Sequence, residues 1–346
     1  MSKILLVGTS FARNGEGVPD MNYTFRKYLS REISLDSIDI YELSGSRFPR
    51  FNSMLARNLF LFKTKQLIEK RFIHVLHPND LCNTLPTINF SKYSQKRIVT
   101  VHDFYPFLVK PEKNIRSVID DFLKRKCFDF LPSYDHIFAR TEEISKRLQD
   151  DYSIGEEQIT VQGPIIEYHY SRFDIAGRKN GKIIIGYVNN FHWNKSRMLY
   201  KFIEAFKNFK SKDIEFHIYG SNFPFLDQIK ADPRIKYHGF LPEAEVPSIM
   251  EGFDLYLSTS TYEGFGIPIA KAKAMKIPVL CFNGNIPDIT KRHTCLWDQH
   301  NLENVLENEE WKNVNVTAAY EDILTFRPEN VIKQTLEVYD RVFSQG

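Results

Sequence analysis

The sequence predicts an α/β chain of two doubly wound domains facing each other across a cleft, and three observations carry that reading. Short, continuously apolar runs alternate with longer amphipathic segments along the whole length. That is the pattern of parallel strands buried on both faces and helices that cover them. At 346 residues the chain is long enough for two cores of ordinary size. A polar, glycine-bearing stretch over 168–181 (YHYSRFDIAGRKNG) separates two such series. The expected domains are 1–167 and 182–327, joined by the linker 168–181 and followed by a terminal segment over 328–346.

Each element follows from its residues. Ile4–Val7 reads as a buried strand, followed by a polar turn over 8–17 and a helix over Met21–Arg31. Ile38–Leu43, Phe72–Leu76 and Arg97–Val101 read as further strands, and Ile115–Lys126 as a helix. His136–Ala139 is strand-like, and Thr141-Glu-Glu-Ile starts a helix with a capping pattern. Ile159–Gln162 closes the first series. The second runs Lys182–Val188 strand, Ser196–Phe209 helix, Glu215–Tyr219 strand, Phe223–Ala231 helix, Ile235–His238 strand and Val246–Gly252 helix. Asp254–Ser258 strand, Ile267–Met275 helix and Ile277–Phe282 strand follow, then a weaker strand near Cys295–Trp297. Residues 328–343 close the chain as an amphipathic helix.

Composition narrows the function. Residues 1–180 carry 27 basic against 22 acidic side chains, and residues 181–346 carry 19 against 21. Charges of +5 and −2 are too mild for a nucleic-acid binder. The four cysteines (Cys82, Cys127, Cys281, Cys295) have no metal or redox spacing and read as reduced thiols in a cytoplasmic protein. No leader and no membrane-length apolar run is visible. Between Arg47 and Arg71, seven basic residues interleave with apolar ones at helical spacing. Such a helix suits either peripheral contact with anionic lipid or packing on its own domain.

The chemistry concentrates in the strand–loop–helix–strand over Asp254–Cys281. Gly264 and Gly266 leave the loop backbone bare where a helix begins, a site for an anion. Taken alone, the glycines suit an ordinary crossover turn equally well. Gly15-Glu-Gly17 lacks the third glycine of the dinucleotide fingerprint, which disfavours a nicotinamide oxidoreductase.

Several segments, in order, resemble family-four retaining glycosyltransferases of the GT-B fold, which implies two Rossmann-like domains. They are 185–188 (IGYV) with Lys195, 217–220 (HIYG), 235–242 (IKYHGFLP), 258–268 (STSTYEGFGIP) and 284–288 (GNIPD). In the first half, 100–106 (TVHDFYP) and 159–165 (ITVQGPI) are similar too. The resemblance implies that Lys195 neutralises a departing diphosphate, that Glu263 lies against the donor sugar and that His102 stands near it. It implies donor contacts from Gly15, Gly17, Gly186, Gly220, Gly264, Phe265, Gly266, Ile267 and position 271. It also implies front-face attack, in which the departing phosphate takes the acceptor's proton, and a last helix that crosses back to the first domain.

Two positions depart from the family. Its second glutamate, eight residues after Glu263, is Lys271, and an ammonium can donate to a ribose hydroxyl but cannot accept from one. The arginine that commonly follows the strand glycine is Tyr187. Lys271 is a candidate to supply that arginine's charge. The reading is a metal-independent retaining glycosyltransferase with a nucleotide-diphosphate sugar as donor, a glycan or lipid-linked acceptor, and no cofactor. The alternative is a non-catalytic nucleotide-sugar or carbohydrate-binding relative.

Overall fold

The computed structural model describes residues 4–8, 17–33, 38–42, 72–76, 96–104, 107, 118, 122, 125–167, 181–189, 191 and 193–343. Gly15, the basic segment over 47–71, Cys82 and nearly all of the linker lie outside them. The chain forms two compact units: Met1–Ile165 with Pro328–Gly346, and Ile166–Arg327.

The first unit is built on strands β1 (Ile4–Gly8), β2 (Ile38–Glu42), β3 (Phe72–Val75), β4 (Lys96–Val101), β5 (His136–Ala139) and β6 (Ile159–Val161). They form one parallel sheet in the order β2-β1-β3-β4-β5-β6. Every residue of β1 is buried, as a strand covered on both faces requires. Helix α1 (Gly17–Glu32) begins before the predicted Met21, since Pro19 suits a first helical turn. In α2 (Glu142–Tyr152) the Thr141 hydroxyl accepts from the Ile144 amide at 3.4 Å.

The second unit holds β7 (Ile183–Val188), α3 (Trp193–Asn208), β8 (Ile214–Tyr219), α4 (Leu226–Ile229), β9 (Ile235–Tyr237) and α5 (Val246–Met250). It continues with β10 (Leu255–Ser258), α6 (Ile267–Ala274), β11 (Val279–Phe282), α7 (Asp288–Lys291), β12 (Cys295–Trp297), α8 (Leu302–Glu307) and α9 (Val316–Leu324). The sheet is parallel, in the order β12-β11-β10-β7-β8-β9. Ile185, Tyr187, Leu255 and Leu257 face one core, and Tyr256, Val279 and Cys281 face the other. The chain reverses its direction of travel across the sheet between β7 and β10. In open α/β sheets the carboxyl ends of the strands at such a switch point form the ligand crevice.

The last helix, α10 (Pro328–Phe343), belongs to the first unit, packing Val338, Tyr339 and Phe343 with Ile4, Leu6, Phe25 and Leu29. Tyr339 Oη lies 2.6 Å from His74 Nδ1, and His74 Nε2 lies 2.8 Å from Thr100 Oγ1. Gln162 Nε2 donates to the Val331 carbonyl and to Thr335 Oγ1.

Three sequence expectations differ from the structure. The helix expected from Phe223 starts only at Leu226, because Pro224 drives the residue before it out of the helical region. Phe223 is buried instead and stacks on Tyr237. The short helices α7, α8 and α9 were not foreseen, since 4 to 9 residues give too little periodicity to read. Cys127 is disulfide-bonded, which corrects the reading of four reduced thiols, while Cys281 and Cys295 are free and buried. Pairing depends on which cysteines the fold brings within about 4.4–6.8 Å of each other, and that need leave no trace in chain spacing.

Candidate active site

At the switch point the loop after β10 is held from below and from the side. Below it, Tyr256 Oη donates to the Val188 carbonyl at 3.0 Å, and Thr259 Oγ1 donates to Tyr187 Oη at 3.3 Å. These bonds join the carboxyl ends of β10 and β7. Thr259 and Ser260 are buried polar residues, and Ser260 Oγ donates to Glu263 Oε1 at 2.6 Å. That bond orients the carboxylate on a rigid platform. From the side, the Glu263 amide donates to the Asn285 carbonyl and the Asn285 amide to the Thr261 carbonyl. Gly284 makes this approach feasible, because a Cβ there would lie 2.7 Å from the Thr261 carbonyl oxygen.

The loop then turns into α6. Gly266 has φ +93°, a conformation that favours glycine, and Ala270 donates back to its carbonyl. Thr290 Oγ1 donates to the Phe265 carbonyl at 2.6 Å, fixing the turn. The first turn of a helix has no intrahelical acceptors for its amides. Pro268 removes one of those donors, so Ile267 and Ile269 carry the rest. The Phe265 side chain is an anchor: it is buried and meets Phe326 edge to face at 4.9 Å. Glu263, Gly264, Phe265, Gly266 and Ile267 thus form one loop–helix junction.

The other predicted residues fall around this junction with different duties. Lys195 is the third residue of α3, the helix after β7. Gly186 lies inside β7, where a Cβ would be 2.1 Å from the Phe253 ring. The glycine there admits a core aromatic ring. Gly220 (φ +149°) ends β8, and a Cβ there would lie 2.1 Å from the Asn189 carbonyl oxygen. Its amide donates to the Gly239 carbonyl at 2.8 Å, so the ends of β7, β8 and β9 pack backbone on backbone. Tyr187 is fully buried, and burial raises its pKa far above the usual phenol value. It carries no charge toward the crevice. Lys271 pairs with the half-buried Glu243, so its ammonium is compensated where it stands.

In the first unit, Gly17 opens α1 and His102 follows β4. His102 is buried, with Nε2 2.7 Å from the Leu76 carbonyl. Arg140 Nε donates to its Nδ1 at 3.1 Å, so the ring proton is on Nε2. Both ring nitrogens serve the fold in this arrangement. Arg140 itself donates to the Gln162 and Gly163 carbonyls, and burial draws its pKa down to about 9. Sequence reasoning missed Arg140, Ser260 and Glu243. Ser260 stood inside the matched loop and was readable as a polar neighbour of Glu263. The others gave no signal.

Residues 182–308 match the family described as glycosyl transferases group 1. Over those residues the second unit is similar to group 1 glycosyltransferases. A curated protein, O-antigen chain mannosyltransferase B of Escherichia coli, is similar, at 25% identity over 113 residues. That match spans 30% of this chain and 30% of the relative. Over the whole chain the fold is GT-B. A sucrose-phosphate synthase from Thermosynechococcus elongatus superposes with a TM-score of 0.77 at 13% identity, covering 100% of both chains. Anabaena Alr3699/HepE, solved with UDP and glucose, gives 0.70 at 14% identity, covering 99% of this chain and 100% of that one.

Proposed function

We propose that the protein is a retaining, metal-independent glycosyltransferase that moves a hexose from a nucleotide-diphosphate sugar to a glycan or lipid-linked acceptor in the cytoplasm. The observation that carries this reading is Glu263, oriented by Ser260 at 2.6 Å, beside the amides that open α6 at the switch point of the sheet. Breaking the bond between the sugar and the diphosphate places negative charge on the leaving group and positive charge on the anomeric carbon. Amides of the Gly266–Ile269 turn and the Lys195 ammonium answer the first charge, and the Glu263 carboxylate answers the second. The acceptor hydroxyl forms the new bond on the face the diphosphate leaves, and its proton passes to the departing phosphate. Reaction on one face keeps the anomeric configuration, with no carboxylate pair needed. The similar HepE structure was solved with UDP-glucose, and the Escherichia coli relative is a mannosyltransferase, which supports a nucleotide-sugar donor.

The test is incubation of the purified protein with a panel of nucleotide sugars and candidate acceptors, following nucleotide-diphosphate release and the anomer formed. Retained configuration, persistence in excess chelator and loss in Glu263→Gln are expected. Inverted product would overturn the retaining step, and complete, metal-reversible loss in chelator the metal independence. Tight binding of nucleotide sugars without turnover would favour the non-catalytic relative.

A further inference from the structure

Between its two glycines the loop that opens α6 has one side chain to hold it, that of Phe265. Gly264 and Gly266 contribute none, and Gly266 turns the backbone at φ +93° into the first amides of the helix. Beside the Thr290 bond to the Phe265 carbonyl, the ring of Phe265 is what places those amides. It is buried, and the Phe326 ring meets it at 4.9 Å with the two planes 87° apart. Aromatic pairs in this edge-to-face arrangement attract through their quadrupoles and so favour one orientation. Phe326 lies just beyond α9, and its amide donates to the Ile323 carbonyl at 3.0 Å. Helix α9 is itself tied to α6, where the fully buried Lys273 donates to Asp322 Oδ2 at 3.1 Å.

Phe326 also belongs to the place where the chain passes between its two units. Ile166 is the first residue of the second unit and Arg327 the last. The Ile166 amide donates to the Phe326 carbonyl at 2.8 Å, which joins the entering segment to the leaving one. One residue thus meets this crossing through its backbone and the loop through its ring. We propose that Phe326 is a positioning residue: its ring sets the Gly264–Ile267 junction, and through it a nucleotide bound at that junction stabilises the paired crossing. The coupling is reciprocal, since whatever the crossing contributes to nucleotide affinity the nucleotide returns to the crossing. This rests on the nucleotide-sugar reading above.

The experiment measures calorimetric binding of UDP and GDP to the full chain, and hydrogen exchange of the peptide containing Ile166 with and without the nucleotide that binds. In the wild type the nucleotide should slow exchange of the Ile166 amide. Phe326→Leu keeps an apolar side chain but loses the ring. It should weaken nucleotide binding about tenfold and remove the slowing. Phe326→Tyr returns the ring and should restore both, which excludes a general loss of packing as the cause. Unchanged affinity in Phe326→Leu, or exchange at Ile166 indifferent to nucleotide in the wild type, would overturn the inference and leave the proposed function standing. The wild-type exchange needs no variant to fold, so it decides even where Phe326→Leu does not. Failure of the wild type to bind either nucleotide would remove the proposed function, and this inference with it.

Discussion

The two sheets use the polar residues at their carboxyl edges in opposite ways. In the first unit His102, Arg140, His74 and Thr100 are consumed by the unit's own bonds: ring nitrogens to Leu76, Arg140, Tyr339 and Thr100, and guanidinium to backbone carbonyls. In the second, Glu263 Oε1 accepts from the Ser260 hydroxyl, and Glu243 pairs with the Lys271 ammonium. Buried groups that satisfy one another fix a structure, whereas a carboxylate oriented on a loop at the carboxyl edge of a sheet stands where such sheets take their ligands. The comparison sets a unit whose polar edge is architectural against one whose polar edge we propose to be chemical.

The largest expected effect tests the chemical edge. Glu263→Gln should lower transfer by about 100-fold or more, with the urea unfolding midpoint unchanged. A midpoint that falls with the rate would make Glu263 architectural too. The reciprocal test is Arg140→Met, which strips donors from His102 Nδ1 and from the Gln162 and Gly163 carbonyls. It should destabilise the protein by about 3 kcal/mol in urea unfolding, and donor affinity should persist in the folded fraction.

A third test uses acid. Burial, then the charges of Arg140 and His136, lowers the His74 pKa from 6.5 to about 3, so the folded state holds a neutral ring. Between those values the unfolded chain binds the extra proton. The contribution of His74 is therefore fully present above about pH 6.5 and is lost as pH falls toward 3. Unfolding at pH 5 should show roughly 2 kcal/mol less stability than at pH 7. His74→Gln should be flatter across that range, and an unchanged slope would relieve His74 of this role. The smallest effect is expected for Gly284→Ala, whose methyl would press on the Thr261 backbone. It should cost about 1 kcal/mol and weaken donor binding by moving the loop that carries Glu263; unaltered binding would show that the loop has room to shift.

How much of this was legible in the sequence depends on how local the cause is. Apolar runs as clear as Ile4–Val7 and Ile183–Val188 declared buried strands, and the Glu263–Ile267 junction was readable because its glycines and acid are contiguous. The switch point between β7 and β10 was not, because strand order is a long-range property. Gly186 is ambiguous in the sequence for the same reason: a bare backbone position looks alike whether it serves a phosphate or makes room for Phe253. Lys271 was visible as a departure, but its partner lies 28 residues earlier, and no pattern in the chain couples them.

Helix α10 has one further consequence. Its residues follow the whole second unit in the chain, yet they complete the core around β1 and give His74 its Tyr339 partner. During synthesis, domains usually fold in order of emergence, the N-terminal one first. In this chain the first unit's sheet is made before α10, so Ile4, Leu6 and Phe72 lack the helix's share of their cover until the second unit has been translated. The first unit's core is complete only once the second unit has been made.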